Sequence, residues 1–291
     1  MSNRLTFIKK CYNLAYVMRV NQPIGFFLLL WPTLWGLWLS KQGIPDTTIL
    51  VIFIIGVICM RSAGCIINDY VDYKVDSCIT RTKGRPLTTG QLSKKGALIA
   101  LVVLLIIAFI LILYLNVITI FLSLIALILS VVYPYLKRYT YFPQVVLGIL
   151  FSWPILMTFT AIDKSIDSIM LWLLFLMNFL WVIVYDTQYA MLDREDDKEI
   201  GIRSLAVFLG NMDTLVIGIL QFFIVFILGI IGYLERFFIE FYIFSLCGVI
   251  MLFIWQQMLI RTREKKNYFR AFLSNNYVGM LIFLGIFISF Y

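Results

Sequence analysis

Apolar runs of about twenty residues recur along this 291-residue chain from Pro23 to its end, with no long polar interval between them. A run of that length crosses the hydrocarbon of a bilayer as one helix, about 1.5 Å per residue. Inside lipid every backbone polar group must be satisfied within the chain, so such runs fold as helices. Nine segments qualify, at 23–40, 48–67, 97–115, 117–136, 143–161, 168–187, 214–233, 238–260 and 275–291, the last being the shortest. Pro32, Pro134 and Pro154 fall within or at the ends of these segments, where they kink a helix or mark its boundary. Composition agrees: 62% of residues are hydrophobic and 14% charged, against roughly 25% charged in a soluble domain. The expected fold is all-α and polytopic, about nine transmembrane helices in a single membrane domain over 1–291, with no soluble domain.

The loops set a direction. Twenty of the 24 Lys and Arg residues fall on one side of these spans, while Lys41, Lys164 and Arg236 fall on the other and Arg61 lies within a span. Positive charge collects on the cytoplasmic face, which puts the N-terminus there and, with nine spans, the C-terminus outside. The net charge of +8 is therefore a membrane signal and not a nucleic-acid footprint. Residues 1–22 read as a short basic segment on the cytoplasmic face rather than a cleaved signal.

Histidine is absent and the five cysteines form no CxxC pair. His-ligated zinc, copper or haem, a His general base and a thiolate metal site are thereby excluded. The chemistry available rests on carboxylates, Asn, Tyr, Lys and Arg, a set suited to a hard cation such as Mg²⁺.

Acidic residues are scarce, and nine of the 16 fall in two clusters behind the second and sixth spans. In the first, which also contains Asp69, residues Asn68, Asp72 and Asp76 stand at i, i+4 and i+8, one stripe of a helix. In the second, Asp186, Asp193 and Asp197 stand at i, i+7 and i+11, within roughly a 40° arc. Glu195, Asp196 and Glu199 read as a solvated helix end. Like charges on one helical face repel, and near hydrocarbon they need a cation. Both stripes lie on the same side of the membrane, and each is followed by basic residues, Arg81, Lys83 and Arg85 after the first, Lys198 and Arg203 after the second. Carboxylate-bound Mg²⁺ beside Lys and Arg is an arrangement that binds a diphosphate.

At these residues the chain resembles the UbiA superfamily of membrane prenyltransferases. Its NDxxDxxxD motif matches Asn68 to Asp76, and its second aspartate-rich motif matches Asp193 to Asp197 with Asp186 upstream. N21-Q-P-I-G, M60-R-S-A-G-C-I-I-N-D-Y, Y133-P-Y-L-K-R-Y and Y185-D-T-Q-Y-A-M-L-D-R look like the 4-hydroxybenzoate polyprenyltransferases. Asn21-Gln22 departs from the charged pair expected before Pro-Ile-Gly. The resemblance implies nine transmembrane helices around a central cavity open laterally to membrane lipid. It implies Mg²⁺ held by Asn68, Asp72, Asp76, Asp186, Asp193 and Asp197, with Asp72, Asp76, Asp193 and Asp197 as catalytic residues; Arg61 is a further catalytic candidate from its position alone. The implied substrates are polyprenyl diphosphate and 4-hydroxybenzoate, joined at the carbon ortho to the hydroxyl in ubiquinone biosynthesis. A bacterial inner membrane is the implied location, with the active site facing the cytoplasm.

Several roles stay open. Arg61 sits seven positions before Asn68 on the same helical face, deeper in the membrane. It serves either the diphosphate, the benzoate carboxylate or the helix carbonyls around it. Arg81, Lys83, Arg85, Lys137, Arg138 and Arg203 divide between diphosphate contact and positive-inside charge, with contact favoured for Arg138 and Arg85, and Tyr189 either orients a carboxylate or packs. Other acceptors within the fold, such as haem or dihydroxynaphthoate, fit the motif stretches less well. An ion-coupled transporter would place its acids near the midplane rather than at helix ends.

Overall fold

The computed structural model describes residues 2–78, 81–136 and 139–291. The elements run α1 (Ser2–Val17), α2 (Ile24–Lys41), α3 (Thr47–Asp76), α4 (Lys94–Ile112), α5 (Val117–Leu136), α6 (Pro143–Ala161), α7 (Ile169–Ile200), α8 (Leu205–Leu209) and α9 (Asp213–Leu234). One turn, α10 (Ile239–Phe241), then passes through a π-helical segment, Tyr242–Cys247, into α11 (Gly248–Arg261), and α12 (Lys265–Ser289) closes the chain. Among the described residues no strand occurs and nine helical segments are long and apolar enough to cross a membrane.

Local chemistry sets the helix ends. The Ser93 hydroxyl caps α4 by accepting from the Gly96 N–H at 3.1 Å. Pro143 opens α6, where its missing N–H costs nothing. Gly201, at a φ of 76°, ends α7 in the left-handed conformation that glycine adopts without strain. Pro32, Pro134 and Pro154 all lie inside helices.

The main core lies among α2, α6, α7, α9, α11 and α12, around the fully buried Trp35, Leu37, Leu171, Leu174 and Trp181. A smaller cluster, including Cys59, Ala63, Ile66 and Leu104, joins α1, α3 and α4. The outer faces of α4 and α5 are apolar and exposed, as at Ile99, Val102, Ile106, Phe121 and Ile128, which is the burial pattern lipid requires. At the centre of the main core a chain of side-chain amides is closed off from lipid. Trp181 Nε1 donates to Asn275 Oδ1 at 3.0 Å, and Asn275 Nδ2 donates to Gln188 Oε1 at 2.8 Å. Gln188 Nε2 and Gln221 Nε2 both donate to Gln256 Oε1, at 3.0 and 2.8 Å, and Gln256 Nε2 donates to Ser274 Oγ at 2.9 Å. These bonds tie α7, α9, α11 and α12 together where the alternative is an unsatisfied polar group in hydrocarbon.

One difference from the sequence reading concerns length. The last span does not start at 275: α12 begins at Lys265, and its polar first half packs Tyr268, Ala271, Ser274 and Asn275 into the bundle. Hydropathy passes over such a segment because its polar groups are satisfied inside. Residues 2–17 of the basic N-terminal segment are helical.

Candidate active site

The site follows from two helices that outrun the membrane. α3 has 30 residues and α7 has 32, roughly 45 and 48 Å, against a hydrocarbon core of about 30 Å. Their surplus turns carry the two acidic stripes. Asn68, Asp72 and Asp76 from α3 line one cavity of about 820 Å³ together with Asp186, Asp193 and Asp197 from α7. Arg61, Arg81, Arg85, Tyr189 and Arg203 line it too.

Arginines hold several of these carboxylates. Arg81 forks onto Asp193, with Nε 3.0 and 3.2 Å from the two oxygens and Nη2 2.5 Å from Oδ2. Its Nη1 donates to the Tyr189 hydroxyl at 2.5 Å. Arg81 thus links the Tyr189 hydroxyl to the Asp193 carboxylate. Arg85 Nη1 donates to Asp76 Oδ2 at 2.7 Å and to Asp69 Oδ1 at 3.0 Å. Burial raises the Asp76 carboxyl above its ordinary range despite the Arg85 charge beside it.

Asp69 is a different kind of residue from its neighbours on the stripe. It is 1% exposed and accepts from Arg19 Nη2 at 2.7 Å as well as from Arg85, while its Oδ2 has no hydrogen-bond partner. It fastens the turn between α1 and α2, where Arg19 takes a φ of 61°, to the loop after α3. Sequence spacing put Asp69 in the acidic cluster and gave no sign that Arg19 pairs with it or that Arg81 pairs with Asp193. Glu195 and Glu199 are exposed, as a solvated end requires.

Arg61 lies where this cavity meets a second, apolar chamber of about 190 Å³ framed by α3, α4, α5 and α6. Asn68, Tyr133, Leu147 and Phe151 line both spaces as well. The Arg61 guanidinium sits 5.6 Å from the Phe151 ring centre, and its Nε is buried with no hydrogen-bond partner. Arg203 donates to the Tyr139 carbonyl at 3.0 Å and covers the Tyr141 ring, so it borders the cavity without touching a described carboxylate. Arg138 lies outside the described residues.

The donors fit a hard divalent cation in kind: all are oxygens, they converge from two helices, and guanidinium cations already stand among them. Among the described residues, however, no three carboxylates stand close enough together to hold a metal as they are.

Comparison with known proteins agrees with this architecture. Residues 29–283 match the model of the UbiA prenyltransferase family. A protein of Blochmanniella pennsylvanica named 4-hydroxybenzoate octaprenyltransferase is 69% identical over 291 residues, all of both chains. The chain belongs to the UbiA prenyltransferase family. As a UbiA prenyltransferase it is an integral membrane enzyme, and its fold is similar to two solved members. The apo UbiA homolog from Aeropyrum pernix K1 aligns with a TM-score of 0.79 at 22% identity, covering 90% of this chain and 97% of that one. A UbiA homolog from Archaeoglobus fulgidus bound to GPP and Mg²⁺ aligns at 0.74 and 17% identity, covering 96% and 99%. At those identities the likeness speaks for the fold alone.

Proposed function

We propose that this chain transfers a polyprenyl group from polyprenyl diphosphate to 4-hydroxybenzoate at the carbon ortho to the hydroxyl, a step of ubiquinone biosynthesis. The products are 3-polyprenyl-4-hydroxybenzoate and diphosphate. One observation carries the reading: a charged cavity sized for a diphosphate and a small aromatic acid opens, at Arg61, into an apolar chamber that suits an isoprenoid tail. The 69% identical relative named for this reaction supports the acceptor and makes octaprenyl diphosphate the donor to assay first.

Asn68, Asp72, Asp76, Asp186, Asp193 and Asp197 would hold Mg²⁺, which when bound neutralises charge on the departing diphosphate. Arg81 and Arg85 bind diphosphate oxygens, to which a guanidinium fork is matched. Arg61 takes the benzoate carboxylate, since its buried Nε lacks a protein partner. The allylic C–O bond breaks with its electron pair leaving on the diphosphate, the ring carbon bonds to the allylic carbon, and the ring loses its proton there. Tyr133, Phe151 and Tyr185 line the cavity, place π-faces near the developing cation and help exclude the water that would trap it.

The 20-to-3 division of basic residues supports a cytoplasmic site and N-terminus, and the bacterial relatives support an inner membrane. Purified protein given labelled 4-hydroxybenzoate and octaprenyl diphosphate should form the 3-prenylated acid with Mg²⁺ and none in chelator. Full activity of metal-stripped enzyme in chelator would refute the metal assignment. Reporters fused after Lys95 or Arg203 should read cytoplasmic, and one after Lys164 outside. A cytoplasmic reading at Lys164 would overturn the orientation.

A further inference from the structure

Resting on that metal reading, we infer that Arg81 is the resident counter-ion of Asp193, competing with a divalent cation for the same carboxylate until diphosphate draws the guanidinium away. Both Asp193 oxygens are engaged, by three N–H contacts of 2.5 to 3.2 Å from one planar group. A cation cannot take this carboxylate through both oxygens while the fork remains, and the two positive charges repel across it. On the other stripe the contact is looser, Arg85 Nη1 touching one oxygen of Asp76 and one of the neighbouring Asp69. Arg81 has an open side toward the cavity, which it lines with a side chain 38% exposed. Among the described residues its other contacts are to Tyr189, whose hydroxyl accepts from Nη1 and whose ring centre lies 4.8 Å from the guanidinium carbon.

A diphosphate in the cavity offers that fork oxygens of higher charge. Once Arg81 moves onto it, Asp193 is released and cation affinity rises. By linkage, bound cation must strengthen diphosphate binding by the same factor. The empty site is neutralised by its own arginines, and cation and diphosphate enter as a pair.

The test measures metal binding and not turnover. Mn²⁺ is titrated into the purified full chain in detergent without diphosphate, and free Mn²⁺ is read by electron paramagnetic resonance. Arg81→Gln should tighten Mn²⁺ about fivefold, the range expected for freeing a partly exposed carboxylate from a guanidinium. Arg203→Gln removes a charge from the same cavity without releasing a carboxylate and should shift binding by less than about twofold. Arg81→Lys keeps the charge, loses the fork and should fall between; it carries the test if the Gln variant fails to fold. Equal shifts for Arg81→Gln and Arg203→Gln, or no gain for either Arg81 variant, would overturn the inference. Asp72→Ala in the same titration separates the two levels. If it binds Mn²⁺ as the unaltered chain does, the metal reading falls and takes the inference with it. If it loses Mn²⁺ while the Arg81 variants gain nothing, the inference alone falls.

Discussion

Gly25 stands directly against the guanidinium of Arg61. A Cβ at position 25 would lie 2.6 Å from Arg61 Nε and closer still to Nη2. The obstacle is the mobile end of a long side chain, so Gly25→Ala should leave the bundle folded and push Arg61 off its position. If Arg61 grips the aromatic acid, the KM for 4-hydroxybenzoate should rise by about tenfold, the value of one charged hydrogen bond. The KM for the prenyl diphosphate should move far less. Arg61→Lys should show the same split, because an ammonium lacks the planar fork. A larger rise for the diphosphate would reassign Arg61 to the leaving group.

Removing a stripe carboxylate should abolish transfer and spare the fold. Asp72→Ala and Asp193→Ala each should lose at least about a hundredfold in turnover, in line with the loss of a metal-orienting ligand. Size-exclusion profiles in detergent should stay monodisperse. Glu240→Ala, at an exposed position in the first turn of the 238–260 segment and not among the residues lining the cavity, serves as the control and should keep normal turnover. Comparable activity in Asp72→Ala and Glu240→Ala would refute the site.

The apolar chamber predicts a dependence on tail length. Gly56 lines it, and a Cβ there would meet no atom within 4 Å, so a larger side chain projects into open space. Gly56→Phe should therefore slow transfer from octaprenyl diphosphate several-fold more than from geranyl diphosphate. An equal loss with both donors would place the tail elsewhere.

The amide chain should govern stability and leave substrate affinity alone. Gln256→Leu removes three hydrogen bonds, two accepted and one donated. At about 0.6 kcal/mol for each such bond within a membrane, roughly 2 kcal/mol should be lost. The thermal midpoint in detergent should drop while both KM values hold. A normal midpoint would show that the four helices do not depend on this chain.

What the sequence made legible has a common physical character. Spans and stripes are periodic and local, so Asn68, Asp72 and Asp76 declare their shared face without any tertiary information. Pairings across long separations carry no such signal: Arg81 reaches Asp193 over 112 residues, and Arg19 reaches Asp69 over 50. Gln188, Gln256 and Asn275 look like ordinary polar interruptions of apolar helices, and only packing turns them into one network. Gly25 looked like part of a family stretch, and its meaning appeared only when α2 was set against α3.

The apolar chamber reaches the lipid-facing surface, since Phe109 and Leu124 line it and are themselves about half exposed. A tail seated there need never leave the bilayer, and neither need the prenylated product. Encounter between enzyme and donor is then a two-dimensional event, set by the number of donor molecules per unit area of membrane. Adding inert phospholipid at fixed total donor should slow turnover by surface dilution, even though the bulk concentrations of enzyme and donor stay the same.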